Sequence, residues 1–207
     1  MKRNKFIKLG LTGILALANL TGIGCTSALI NPEEETRLLQ QVEKKPYVAL
    51  FEGIQPGSGY TMQEVAEDLK RKGIVACATS GNYRVHMPLI RRAKEFGQKV
   101  HIAGFSMGEV EARDNLARMC KNEGIKVDTL ILIDGPDLGM IHGNVKKVVD
   151  IWGIEPPYIF RRSGRYTTDN LESKNTRIKQ YEVYGDHLSI PGNSIKIIER
   201  EILNNTD

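Results

Sequence analysis

The chain has 207 residues and a mass of 23.2 kDa, with 41% hydrophobic and 26% charged residues and a formal net charge of +4. These are the proportions of one globular domain, and they exclude a wholly disordered chain and a multi-span membrane protein. The charge is local: Lys2, Arg3, Lys5 and Lys8 account for it and no acid lies before Cys25, so the remainder is neutral and carries no basic stripe for nucleic acid.

Residues 1–25 read as an address. A basic start precedes an uncharged run, Leu9 to Ile23, that ends in small residues and Cys25. Such a run suits the apolar segment of a secretory signal and is short for a bilayer span, which needs about 20 residues. Leu20-Thr-Gly-Ile-Gly-Cys25 resembles the lipobox of bacterial lipoproteins, with Gly22 where leucine is usual. The resemblance implies export, a diacylglycerol on Cys25 as the first mature residue, and lipid anchoring to a membrane of the cell envelope. Residues 26–45 are polar and mixed in charge and read as a tether with room for a short helix. The globular domain is expected over 46–207.

Within it, Tyr47–Phe51 is a continuous apolar run, as in a strand buried on both faces. Thr61 and Glu64 have capping-box spacing, so a helix should follow until Gly73. Ile74–Thr79 is a second buried run. A helix over about Val85–Phe96 is closed by Gly97, and Lys99–Ala103 is a third strand. A helix over about Met107–Asn122 stops at Gly124. Further strands are expected at Thr129–Ile133, Val145–Trp152 and Ile178–Tyr184, and a last helix at Pro191–Leu203. Strands alternating with helices imply βαβ units: a three-layer α/β/α domain with a mainly parallel sheet of about six strands.

Gly104-Phe-Ser-Met-Gly108 matches G-x-S-x-G between an apolar strand and a helix, the context of a nucleophile elbow. The turn lifts the Ser106 hydroxyl above the sheet, and the Met107 N–H can face a developing oxyanion at the helix N-terminus. The blander possibility is a glycine-rich turn with an inert serine. A serine hydroxyl needs a base, and the base needs an orienting acid. In proteins built on such an elbow they follow in the order Ser, acid, His. His86 and His101 precede Ser106. His187 follows the last strand and precedes the last helix, and is favoured over His142, which lies in a short loop. For the acid, Asp134 ends the fourth strand, where carboxylates point at the site crevice. Asp137 and Asp150 are the rivals, and Asp186 would have to fold back on its neighbour. The second oxyanion donor is sought in the loop after the first strand, at Gly53 or Ile54.

Other chemistry has little support. Aromatics are only 6%, too few for a base-stacking platform, and three cysteines make no disulfide framework. Cys77 and Cys120 read as buried thiols that do not pair with each other. No H-E-x-x-H or C-x-x-C spacing occurs, so no metal and no cofactor is expected. Arg161, Arg162 and Arg165 lie in a long irregular stretch that reads as a solvated loop.

Taken together, the glycine loop after the first strand, the elbow, Asp134, and Asp186-His-Leu-Ser-Ile-Pro191 resemble a small α/β-hydrolase over about residues 46–204. More narrowly, they are similar to compact lipase- or thioesterase-like bacterial hydrolases. The resemblance implies Ser106 as nucleophile, His187 as base and Asp134 as acid, on a sheet lacking the first two strands of larger members. Two positions depart from the pattern: Phe105 stands where histidine is frequent, and Gly135 follows the acid in place of proline. The expected function is a membrane-tethered serine hydrolase of a small acyl ester or thioester, with no nucleic-acid partner. A non-catalytic hydrolase-fold lipoprotein that binds a ligand is the alternative from another class, and acyl transfer to an acceptor other than water would use the same residues.

Overall fold

A computed structural model describes residues 31–53, 61–136, 138–154 and 165–203. The first element is a helix, α1 (Pro32–Val42), whose first turn is capped by Asn31: its side chain accepts from the Glu34 N–H at 2.8 Å. Strand β1 (Tyr47–Phe51), helix α2 (Met62–Arg71), strand β2 (Val75–Thr79), helix α3 (His86–Glu95) and strand β3 (Val100–Phe105) follow. Next comes helix α4 over 108–122, whose middle, Glu111–Ala117, is wound as a wider π-helix. Strands β4 (Thr129–Ile133), β5 (Lys147–Gly153) and β6 (Arg177–Val183) complete the sheet, and α5 (Ile190–Asn193) and α6 (Ile195–Leu203) close the fold.

All pairings are parallel, in the order β2-β1-β3-β4-β5-β6. The order reverses between β1 and β3, and an open parallel sheet binds ligands at the carboxyl ends of its strands there. Register brings those ends together: Phe51 lies beside Gly104, Phe105 beside Ile133, and Ile133 beside Ile151.

Side-chain alternation along each strand feeds two cores. On one face Tyr47, Ala49, Phe51, Ile102, Leu130 and Leu132 meet α1, α3 and α4. On the other, Val48, Leu50, Ala103, Phe105, Ile131 and Ile133 meet α2, α5 and α6. The α2 start forms the full capping box expected of Thr61 and Glu64.

Two features differ from the sequence reading. The second half of the presumed tether is α1, and Leu38 and Val42 are buried in the first core, so the packed body reaches back beyond Pro46. Burying two such side chains contributes about 1.5–3 kcal/mol each, which holds the helix on the body. In the β4–β5 and β5–β6 connections, where no helix is expected, the described residues hold only the 3-10 turn Thr168–Asn170. The π-helical stretch has no counterpart in the periodicity. Cys77 and Cys120 are both free thiols, the second buried in the first core.

Two histidines are structural. His86 is buried between the Tyr47 hydroxyl (2.7 Å from Nδ1) and Thr79 Oγ1 (2.8 Å from Nε2). His101 is buried in β3, and neither of its ring nitrogens has a hydrogen-bond partner among the described residues. Burial pushes both imidazoles down to about 3. Between about pH 6.5 and 3 the unfolded chain therefore binds up to two more protons than the folded one. The stability that these two groups contribute is fully present above pH 6.5 and falls with pH below it, by up to about 2.7 kcal/mol per unit for the pair. Urea unfolding at pH 7, 6 and 5 should trace this loss. His101→Leu should remove about half of the slope between pH 6 and 5; an unchanged slope would mean that His101 is not held neutral.

Candidate active site

Ser106 leaves β3 with φ 55°, a left-handed backbone that L-residues other than glycine rarely hold. Its N–H donates to Ile133 O at 2.9 Å, so the serine hangs from the end of β4. Glu109 N–H then donates back to Ser106 O at 3.0 Å and opens α4. The flanking glycines are needed for space. A Cβ at Gly104 would stand 2.2 Å from Gly108 O, and one at Gly108 would stand 2.4 Å from Phe51 O. The elbow is thus wedged between its own helix and the end of β1.

Asp134 leaves β4 in the same manner, with φ 48° and its N–H donating to Ile151 O at 2.8 Å. Its Oδ1 accepts from Gly153 N–H at 3.2 Å, which turns the other oxygen toward the crevice. There Oδ2 meets His187 Nδ1 at 2.6 Å, and His187 Nε2 stands 3.0 Å from Ser106 Oγ. An ionised carboxylate can only accept, so the ring proton sits on Nδ1 and Nε2 is the acceptor for the serine hydroxyl. The imidazole also packs on the Phe105 ring, with centroids 4.7 Å apart and planes tilted by 32°. All three polar residues are largely shielded from water, with Ser106 at 5% and Asp134 at 9% exposure.

The loop that carries His187 is braced by its neighbours. Asp186 Oδ1 accepts from Ser189 N–H at 2.9 Å, and this bond holds the Asp186 carboxyl below its usual range. Asp186 therefore ties a turn and does not fold back on the ring. Asp150 lies buried in β5 with Oδ2 accepting from Tyr166 N–H at 3.3 Å. His142 pairs with Glu172 at 3.2 Å in the β4–β5 connection. Arg165 pairs with Glu182 and lies over the Trp152 ring, 3.9 Å from its centroid. Asp137, Ile54, Cys25, Arg161 and Arg162 lie outside the described residues.

Met107 follows the serine at the start of α4, where the helix dipole favours negative charge. Gly53 abuts Ser106: a Cβ there would stand 2.5 Å from its Cβ and 3.0 Å from its Oγ. Glu52 anchors the loop start by accepting from Gln63 N–H at 3.0 Å. Among the described residues no cluster of three or more His, Cys, Asp or Glu side chains could hold a metal ion. Sequence reasoning missed the roles of Gly153 and Phe105 around His187. Only the strand register could have revealed the first.

No protein-family model matches the chain, and no curated protein matches it. Solved structures do. A hyperthermophilic esterase from the archaeon Pyrobaculum calidifontis superposes with a TM-score of 0.53 at 12% identity, over 83% of this chain and 90% of that one. A monoclinic form of a Pyrobaculum calidifontis esterase gives 0.50 at 11% identity, over 92% and 97%. The fold is that of the α/β-hydrolases. At such identities the likeness is one of architecture alone, and any chemistry has to be argued from this chain's own residues.

The elbow makes a direct prediction. Gly104→Ala drives a methyl group into backbone atoms of 108–109, which cannot swing aside as a side chain would. Overpacking of this kind costs about 1–3 kcal/mol. Urea denaturation should register that loss; wild-type stability would mean that the elbow is looser than described.

Proposed function

We propose that the protein is a serine hydrolase that cleaves a carboxylic ester or thioester. The observation that carries this reading is the unbroken run from Ser106 Oγ through both nitrogens of His187 to Asp134 Oδ2, at 3.0 and 2.6 Å. Ser106 Oγ attacks the carbonyl carbon as its proton passes to His187 Nε2. The tetrahedral oxyanion faces the Met107 N–H and Gly53. His187 returns the proton to the leaving alkoxide or thiolate, leaving an acyl-enzyme. Water then repeats the sequence, with His187 as base, and frees the acid and Ser106. Asp134 holds the Nδ1 tautomer and stabilises the imidazolium that forms.

The left-handed backbone at Ser106 favours this reading over an inert binding protein. Such strain costs of order 1–3 kcal/mol and gathers where function needs it. Three large apolar side chains stand exposed on the same edge of the sheet: Met107 at 45%, Ile154 at 41% and Tyr184 at 72%. They follow β3, β5 and β6 and suit an apolar acyl or alcohol group on the substrate. The two Pyrobaculum calidifontis structures are described as esterases, in keeping with an ester as substrate.

Ser106→Ala should abolish labelling by a fluorophosphonate probe and hydrolysis of p-nitrophenyl esters while leaving the circular dichroism spectrum intact. Asp134→Asn should lower kcat by roughly 10⁴, as expected when the imidazole tautomer is no longer held. Asp137→Asn should change it little. Full labelling of the Ser106 variant would refute the mechanism, and the opposite pattern for the two aspartates would move the acid three residues on.

We further propose export and lipid anchoring through Cys25. Its support is the basic start, the uncharged run and the lipobox-like 20–25. A single acyl chain binds a membrane only marginally, so firm anchoring requires more than one. Mass spectrometry of the mature protein should find an acylated N-terminal Cys25. An unmodified Cys25, or a mature terminus elsewhere, would exclude the anchor without touching the hydrolase.

A further inference from the structure

Helix α4 buries two charges that the proposed reaction does not use. Glu109, three residues after Ser106, is fully buried, and Arg113, one turn later, is 1% exposed. The Tyr166 hydroxyl joins them: it donates to Glu109 Oε1 at 3.0 Å and accepts from Arg113 Nη1 at 2.7 Å. Arg113 Nη1 stands 3.9 Å from Glu109 Oε1, and its Nε and Nη2 bond both carboxylate oxygens of Asp114 at 2.9 and 2.7 Å. Tyr166 is clamped in turn, its N–H on Asp150 Oδ2 at 3.3 Å and its carbonyl on Gln180 Nε2 at 2.8 Å. Burying charge is costly even when the charges are paired, so the arrangement calls for a reason beyond stability.

Both charged groups face glycines of the loop that carries Asp134. A Cβ at Gly135 would stand 1.8 Å from Glu109 Oε2 and 2.3 Å from its Cδ. A Cβ at Gly139 would stand 2.2 Å from Arg113 Cζ. The Glu109 carboxyl thus fills the space over Gly135, and the Arg113 guanidinium fills the space over Gly139. Asp134 immediately precedes Gly135 and holds φ 48°, a conformation that a non-glycine residue keeps only where its surroundings impose it.

We propose that Glu109, backed by Tyr166 and Arg113, is a positioning residue for the acid of the triad: its carboxyl is the seat on which the 134–135 turn rests. This rests on the reading of Ser106, His187 and Asp134 as a working triad. The seat fixes the turn, the turn aims Oδ2 at His187 Nδ1, and that bond aims Nε2 at Ser106. A misplacement of about 1 Å at such a site costs on the order of 10²-fold in rate.

Two substitutions separate the seat from the charge. Glu109→Asp keeps the charge beside Arg113 and withdraws the carboxyl from Gly135 by one methylene. Glu109→Gln keeps the shape over Gly135, and Arg113 retains Asp114. Steady-state kinetics on a p-nitrophenyl ester are combined with proton NMR of the downfield His187 Nδ1 proton, identified by its loss in Asp134→Asn. Glu109→Asp should lower kcat roughly 10- to 100-fold with little change in KM, and should shift or broaden that resonance. Glu109→Gln should stay near wild type in both. Wild-type kcat and an unaltered resonance in Glu109→Asp would overturn the proposal, as would equal losses in the two variants. If Glu109→Asp fails to fold, Tyr166→Phe removes only the hydroxyl behind Glu109 and is held to the same two outcomes. The resonance can be read whether or not an ester is turned over. A wild type that ignores both esters and fluorophosphonates would therefore refute the hydrolase while the NMR still decides the seat.

Discussion

The close approach of backbone to backbone at the elbow governs the rest of the site. Gly104 lies against the first turn of α4, and Gly108 lies against the carbonyls of Phe51 and Glu52. Only at that distance can a chain leave a strand, reverse through one left-handed residue and re-enter as a helix. The side chain of that residue is left standing above the sheet edge with its neighbours' backbone on either side. Because β1 is in close contact with the elbow, Gly53 is delivered to Ser106 by the same packing.

Asp134 repeats the device one strand along. Ser106 N–H bonds the last carbonyl of β4, and Asp134 N–H bonds Ile151 of β5. Each residue is thus the final rung of a parallel ladder, after which a left-handed φ turns the chain away from its strand. Both side chains consequently leave the sheet at the same edge and height, one strand apart, and one imidazole is long enough to bridge them. Asp134 stands in a different setting from Ser106: among the described residues no regular helix follows β4. The buried Glu109 carboxyl lies against that turn, where Ser106 has the start of α4.

The four histidines of the chain divide by environment. His86 and His101 are held neutral in the two cores by burial. His142 faces Glu172 in a connecting segment. His187 alone sits between an acid and a hydroxyl, on a loop whose own turn is tied by Asp186. The same side chain therefore fills a core in one place and bridges two polar groups in another. Strand register and loop bracing decide which.

The sequence by itself determined the layer architecture, the strand positions and the candidate residues Ser106, His187 and Asp134. Short continuous apolar runs bounded by turn residues mark most of the strands, and glycine and capping signals mark where helices stop and start. These are local signals, carried within a few residues. Helix α1 was equally legible, in Asn31-Pro32 followed by three glutamates, but its polar composition masked the two apolar residues that pack. What only the tertiary structure decided is non-local. Gly153 orients Asp134 across 19 positions, Tyr166 reaches Glu109 across 57, and His187 reaches Ser106 across 81. Such pairs leave no periodic trace in the chain, because their geometry is set by strand order and register. A glycine at 135 or a glutamate at 109 has meaning only once the other is known to lie against it.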